Sequence, residues 1–385
     1  MIDNQKIVYE YALRNAIDTV SRNEKNVMIV RGGPGTGKSV LAVNLLVELN
    51  NRNMTCFYVT KNAAPRNVYS SKLRGEFTQT YINHLFQGSG SFIDEERNKL
   101  DCLVVDEAHR LNAKSGMYQN KGENQIKEII NAAKFSVFFI DENQKVTLKD
   151  IGSEDLIKNF ANEQGAGIYT FDLDSQFRCN GSDGYIAWLD RVLDIKDTAN
   201  FDIDGFDYDF RVLDDPNEVR RLIEEKNKEN NKSRIVAGYC WEWPTGNTRK
   251  DTNYHEIKIP EKNFEISWNL ESGEDFAIGA TSVNEAGCIH TVQGLEFDYV
   301  GVIIGEDLRY EDGHIVTDYT KRAKSDNSLK GIKKIANEQG EDVAYKLADN
   351  IIKNTYRTLM TRGMKGCYVY CVDKKLKEYL LTYIK

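Results

Sequence analysis

The chain has 385 residues, 41% hydrophobic and 10% aromatic, which supports packed cores and excludes a globally disordered protein. Lys and Arg total 51 against 59 Asp and Glu, a net charge of -8, which excludes a uniformly basic nucleic-acid coat but not a local basic groove. No apolar run approaches the roughly 20 residues that cross a bilayer. The opening MIDNQKIVYEYALRNA lacks the apolar stretch of a signal peptide, and seven scattered cysteines without zinc spacing predict reduced thiols in a cytoplasmic protein.

Residues 4–20 carry apolar positions at helical spacing and predict an amphipathic helix. The apolar run at 27–30 predicts a buried strand, followed by a glycine-rich turn and a helix from Ser39. Further strands are predicted at 55–60, 102–109 and 135–144, with a helix over 124–134. Buried strands alternating with helices indicate a parallel sheet covered on both faces. The second half repeats the rhythm, with strands at 208–213, 234–241, 298–305 and 367–373, a helix opened by Pro216 and another over 341–362. A boundary near 172 therefore separates two α/β lobes, 1–172 and 173–385. An irregular insertion or small hairpin is expected near 242–287, with Trp241, Trp243 and Trp268 reading as its core in preference to a platform on which bases stack. Residues 306–335, with Lys321, Arg322, Lys324, Lys330, Lys333 and Lys334, read as a polar surface excursion.

GGPGTGKS at 32–39 matches G-x-x-x-x-G-K-[ST] between a strand and a helix. In that context Gly33, Pro34, Gly35, Thr36 and Gly37 let backbone N–H groups converge on phosphate oxygens, helped by the positive end of the following helix. Lys38 is expected at the β- and γ-phosphates and Ser39 on Mg²⁺. LVVDEAH at 103–109 ends a strand in Asp106, expected to hold the metal, and Glu107, expected to orient or deprotonate the attacking water. ATP and Mg²⁺ are the implied substrate and metal. Gln144, ending a third strand in FFIDENQ, reads either as a turn amide or as a γ-phosphate sensor.

Later motifs keep this order. SQFRC places Arg178 just past the boundary, and HTVQGLEFDYVGVI and TYRTLMTRGMKGCYVY each precede a buried strand, the latter with Arg357 and Arg362. The series resembles superfamily 1 helicase cores built of two RecA-like lobes and, more narrowly, the Schlafen-like DNA/RNA helicase domain family of bacterial proteins. The resemblance spans Gln5 to about Asp373. It implies that Gln5 reads the adenine edge and that Gln144 senses the γ-phosphate. It also implies that Arg178 and Arg362 are delivered to that phosphate by the second lobe, and that Gln293, Gly294 and Glu296 couple nucleotide to nucleic acid. Two guanidiniums suit the charge that develops on γ-oxygens during phosphoryl transfer. Arg357 reads as a solvated helix residue, and Tyr11 and Tyr239 each read as a core tyrosine in preference to a stack on adenine.

A strand-tracking motor needs phosphate contacts from both lobes. Lys61, Asn62 and Arg66 follow a strand end where the family holds the backbone of single-stranded nucleic acid, and His290 and Thr291 are the candidates in the second half. The expected activity is ATP-dependent translocation or unwinding on single-stranded DNA or RNA; a nucleotide-gated binding switch that does not unwind is the alternative. A metabolic kinase fits less well, because it needs a lid and an acceptor pocket in place of an arginine pair. The short accessory regions suit translocation without strong unwinding. The resemblance also leaves room for a nuclease or defence-system partner.

Overall fold

Val27, Met28, Ile29 and Val30 are all fully buried, so both faces of this strand are covered, as expected where helices flank a parallel sheet. The computed structural model describes residues 3–116, 120–173, 183–200, 207–243, 251–270 and 276–384. The chain divides into two units, Met1–Lys145 with Lys149–Gln176, and Val146–Leu148 with Phe177–Lys385. Among the described residues no helix is long and apolar enough to cross a membrane.

The first unit contains α1 (Asp3–Ser21), β1 (Asn26–Gly32), α2 (Lys38–Asn51), β2 (Cys56–Thr60), α3 (Ala63–Leu73), α4 (Gln79–Leu85), β3 (Phe86–Gly88), β4 (Leu100–Val105), α5 (Gln125–Ala132), β5 (Ala133–Ile140), α6 (Glu154–Glu163) and β6 (Gly167–Leu173). Its six strands run in the order β3-β2-β4-β5-β1-β6, every pairing parallel. One core layer joins α1 and α2 to the sheet through Val8, Ala12, Leu41 and Leu45. The other joins α5 and α6 to it through Ile126, Ile129, Ile157 and Ala161. Register pairs Arg31 with Ile140 and Val105 with Phe138, so the carboxyl ends of β1, β5 and β4 lie side by side. In doubly wound sheets this is the edge at which ligands bind.

Two strands are shorter than expected. β4 stops at Val105 because Glu107 turns left-handed (φ 54°) into a 3-10 turn, Ala108–Arg110. β5 stops at Ile140 because the Asp141 side chain accepts from Asn143 N and starts another, Glu142–Gln144. The edge strand β6 was not expected, since GIYTFDL is mostly half-exposed and lacks a continuous apolar signal.

The second unit contains α7 (Asp183–Val192), β7 (Asp209–Val212), α8 (Pro216–Asn230), β8 (Ser233–Ala237), β9 (Ile257–Ile259), β10 (Phe264–Trp268), β11 (Glu285–Gly287), α9 (Ile289–Val292), β12 (Phe297–Ile304), β13 (Leu308–Glu311), β14 (His314–Thr317), α10 (Ile332–Gln339), α11 (Glu341–Met360), β15 (Gly363–Cys371) and α12 (Lys374–Leu381). The sheet order is β7-β15-β12-β8-β11-β10-β9, parallel except for the outer β10–β9 pair. α8 starts as its sequence suggests: Asp215 caps Asn217 N, and Pro216 fills the first turn, where its missing N–H costs nothing. Val146 is buried in this unit's core, and Leu148 N donates to Ser328 O at 2.8 Å.

Several expectations change here. Of the two readings of 242–287, the small hairpin is present as antiparallel β9 and β10, but with β11 it extends the main sheet instead of forming an insertion. Trp268 is 1% exposed, with its ring centroid 4.6 Å from that of Tyr239, so it belongs to the core, whereas Trp241 and Trp243 are half-buried. The excursion at 306–335 is not wholly solvated either. Arg322 is buried between Asp326 (2.6 Å) and Asp307 (3.4 Å), and the Tyr356 hydroxyl also donates to Asp307. Arg357, expected in solvent, is 4% exposed and paired with Asp190, whereas Tyr11, expected in the core, is exposed.

Lys25, just before β1, donates to the carbonyls of Ile130, Asn131 (3.3 Å) and Ala133 (2.6 Å) at the end of α5. Burial, then Arg97, pushes its ammonium down to about 8. The unfolded chain therefore keeps this proton to higher pH than the fold does. The cost of burying the charge is full below pH 8 and fades as pH rises toward the free-lysine value of 10.5. Over that range the native protein should gain in Tm relative to Lys25→Met; a difference independent of pH would remove this linkage. Arg322→Ala leaves two buried carboxylates uncompensated and should cost about 3–5 kcal/mol. All 4 tryptophans lie in the second unit, so urea unfolding followed by their fluorescence reads this loss directly.

Candidate functional site

The turn between β1 and α2 can be made only by small residues. Gly35 and Gly37 sit at φ 79° and 83°, the left-handed region that costs a side chain dearly. A Cβ on Gly32 would lie 2.5 Å from Thr36 Oγ1, and one on Gly37 would lie 2.2 Å from Gln5 Nε2. Thr36 Oγ1 donates to Gly33 O at 3.1 Å, and Pro34 is buried. Gln5, brought from α1, donates to Thr36 O at 2.9 Å; the residue expected at the adenine edge thus braces the loop backbone. No side chain caps α2, whose first residue is Lys38. The Lys38 ammonium is buried within the loop and donates to Gly32 O (2.6 Å) and Gly33 O (2.7 Å). Helix-start amides and this ammonium together make a cradle for an anion.

Next to it, Ser39 Oγ donates to Asp106 Oδ2 at 2.6 Å. Tyr58 on β2 donates to the same oxygen at 2.7 Å, and Glu107 N donates to Asp106 Oδ1 at 2.9 Å. Burial, then the neighbouring Glu107, raises the Asp106 carboxyl above its ordinary value; the bonds from Ser39 and Tyr58 and the charge of Lys38 pull it back. A hydroxyl and a carboxylate in contact form an all-oxygen donor set, which fits a hard cation such as Mg²⁺.

Glu107 is buried in a left-handed conformation that non-glycine residues seldom adopt, a strain that often marks a working residue. His109 Nε2 stands 3.0 Å from Glu107 Oε2. Asp141 N donates to His109 Nδ1 at 3.3 Å, and Gln144 Nε2 donates to Asp141 Oδ2 at 2.6 Å. The structure thus gathers Lys38, Ser39, Asp106, Glu107 and Gln144 at one sheet edge, from positions more than 100 residues apart in sequence at the extremes.

The expected strand contacts of this unit lie at the end of β2. Asn62 caps α3 by accepting from Ala64 N at 3.3 Å. Lys61 is half-buried, and burial, then the charges of Arg110 and Lys149, lower its pKa. Arg66 reaches so close to Gly88 that a Cβ there would meet its Nη1 at 3.0 Å.

In the second unit Thr291 uses its hydroxyl to cap α9, accepting from Cys288 N at 2.9 Å. His290 Nε2 lies 3.3 Å from Ser328 Oγ. Gln293 is buried, Gly294 takes φ 83° and Glu296 is exposed. Arg362 is fully buried and donates to Thr358 O (2.9 Å) and Leu295 O (3.3 Å). Arg178 lies outside the described residues.

Sequence reasoning missed Tyr58, His109 and Asp141. Tyr58 sits in the apolar run of β2, with nothing to separate it from a core tyrosine. His109 and Asp141 did carry a signal, a polar residue just past a buried strand, but their partners are set by the pairing of β4 with β5.

Solved structures superpose only distantly. A Pif1 helicase from Candida albicans shares 11% identity over 100% of this chain and 99% of its own, with a TM-score of 0.36. Replication initiator DnaA bound to AMPPCP and single-stranded DNA shares 17% over 52% of this chain and little more than half, 55%, of its own, with a TM-score of 0.27. Similarity at this level carries no argument about function. In sequence, the uncharacterized protein YPL245W of Saccharomyces cerevisiae is 25% identical over 405 aligned positions, covering 92% of this chain and 84% of that protein. Residues 25–373, which contain the phosphate loop, Asp106, Glu107, Gln144 and the late arginines, match the family described as Schlafen group 3, DNA/RNA helicase domain, and the chain belongs to that family.

Proposed function

We propose that this protein hydrolyses ATP and uses the cycle to move along, or unwind, nucleic acid from a single strand. The observation that carries the reading is the meeting of Lys38, Ser39, Asp106 and Glu107 at one sheet edge. The ATP phosphates lie against the loop amides, and Lys38 turns from the Gly32 and Gly33 carbonyls to the β- and γ-phosphates. Ser39 and Asp106 would hold Mg²⁺, which supplies charge neutralisation at the phosphates. Glu107 orients a water whose oxygen attacks the γ-phosphorus; the bond to the β-phosphate oxygen breaks, ADP leaves, and Glu107 accepts the water proton. Gln144 touches the γ-phosphate. Arg178 and Arg362 meet its developing charge, which makes hydrolysis depend on the second unit.

Lys61, Asn62, Arg66, His290 and Thr291 form the proposed strand track, with Gln293, Gly294 and Glu296 coupling it to nucleotide. Thr291 acts there by positioning α9, since its hydroxyl is taken up by the cap. Cys56, Cys102, Cys240, Cys288, Cys367 and Cys371 are free thiols, which suits a reducing, cytoplasmic setting. A nuclease or defence partner is not part of the proposal.

The test is ATP turnover with and without single-stranded DNA and RNA, followed by strand displacement. Stimulation with displacement is expected of a helicase. Stimulation alone is expected of a bare translocase or a binding switch, and no response to either nucleic acid sinks the proposal. Lys38→Ala should lower turnover by at least about 10²-fold while the fold survives; an active variant removes the site. Arg362→Ala should lower kcat by about 10³-fold with little change in ATP affinity. Equal losses in both would make Arg362 a ground-state contact. Because this arginine is fully buried, tryptophan fluorescence of the variant and the activity of Arg362→Lys separate chemistry from folding.

A further inference from the structure

A general base must be aimed as well as present, and one buried side chain, His109, stands against Glu107. His109 is completely buried, Glu107 is 5% exposed, and Asp141 and Gln144 are 6% and 2% exposed. A backbone N–H can only donate, so the Asp141 amide at 3.3 Å makes His109 Nδ1 an acceptor that carries no proton. The ring hydrogen therefore belongs on Nε2, 3.0 Å from Glu107 Oε2. Asp141 in turn receives the Gln144 amide at 2.6 Å.

The backbone beneath the imidazole is fixed from outside. Ile151 N donates to Leu111 O at 2.9 Å, and Gly152 lies so close that a Cβ would meet Ala108 O at 1.9 Å and His109 Cα at 2.8 Å. The turn bearing His109 thus has no room to drift, and the buried surroundings strengthen each polar contact.

We infer that His109 is a positioning residue: its Nε2 stands 3.0 Å from Glu107 Oε2, close enough for Nε2–H to donate there after a small turn of either side chain, and through Asp141 it ties that carboxylate to Gln144. Movement of the Gln144 amide then reaches the base through contacts of 2.6, 3.3 and 3.0 Å. The inference rests on the hydrolytic reading above and adds to it the means by which a γ-phosphate sensor aligns the water-activating group.

Two measurements on the full chain decide it. Nitrogen-15 spectra of the histidine-labelled protein, which has 5 histidines, should show His109 as the Nε2–H tautomer, identified by the resonance lost in His109→Gln. His109→Ala should lower kcat for ATP by about 10–100-fold with KM changed less than about twofold. His109→Gln, whose amide nitrogen takes the place of Nε2, should recover part of the loss. An Nδ1–H tautomer, or native kcat in His109→Ala, overturns the inference. If His109→Ala does not fold, the tautomer and the activity of His109→Gln decide, and a Gln variant as slow as Lys38→Ala overturns the donor role. Failure of the wild-type protein to hydrolyse ATP would instead overturn the hydrolytic reading. Turnover in the wild type together with an unaffected His109→Ala overturns this inference alone.

Discussion

The contact between Ser39 and Asp106 joins residues 67 positions apart, and the rest of the site is arranged around it. It exists because β5 lies between β1 and β4 in register, so the loop after one strand and the acids after the other open on the same sheet edge. The two oxygens belong to different elements, and Tyr58 adds a third oxygen, its hydroxyl, from β2. Residues of α2, β2 and the turn after β4 thus converge on one carboxylate, which is how a sheet places paired oxygens without a loop long enough to wander.

Buried charge is handled in two ways in the second unit. Arg322 is held by carboxylates, Asp307 and Asp326. Arg234, also fully buried, donates to the carbonyls of Phe276, Ala277 and Gly279 and to Asn227 Oδ1. Arg362 resembles the second case, donating to the carbonyls of Thr358, on the helix that leads into β15, and Leu295, on the turn that leads into β12. A guanidinium held by neutral carbonyls keeps its charge available to an anion, whereas one locked between two carboxylates does not. Locked in this way, Arg322 is structural.

The strands that carry motifs were legible because they are short runs of Val, Ile, Phe and Leu ending in polar residues, a pattern that solvated helices and loops do not produce. The family resemblance and the α/β class followed from those runs and from the order of the motifs. β6 was not legible because it is a half-exposed edge strand, and β9 and β10, three and five residues long, were legible only as a small hairpin and not as strands of the main sheet. The basic excursion at 306–335 misled for another reason: composition records that Arg322 is charged, not that two carboxylates are folded over it.

By itself the sequence determined the phosphate loop, the acids that follow β4 and the alternation that makes a parallel sheet, because glycine conformation, helix-start polarity and strand burial are local properties. Only the tertiary structure decided that Tyr58 shares Asp106 with Ser39, that His109 stands between Glu107 and Asp141, and that Thr291 spends its hydroxyl on a helix cap. Those assignments depend on which strands become neighbours and in what register, and hydrogen bonds across a sheet leave no periodic trace in the chain.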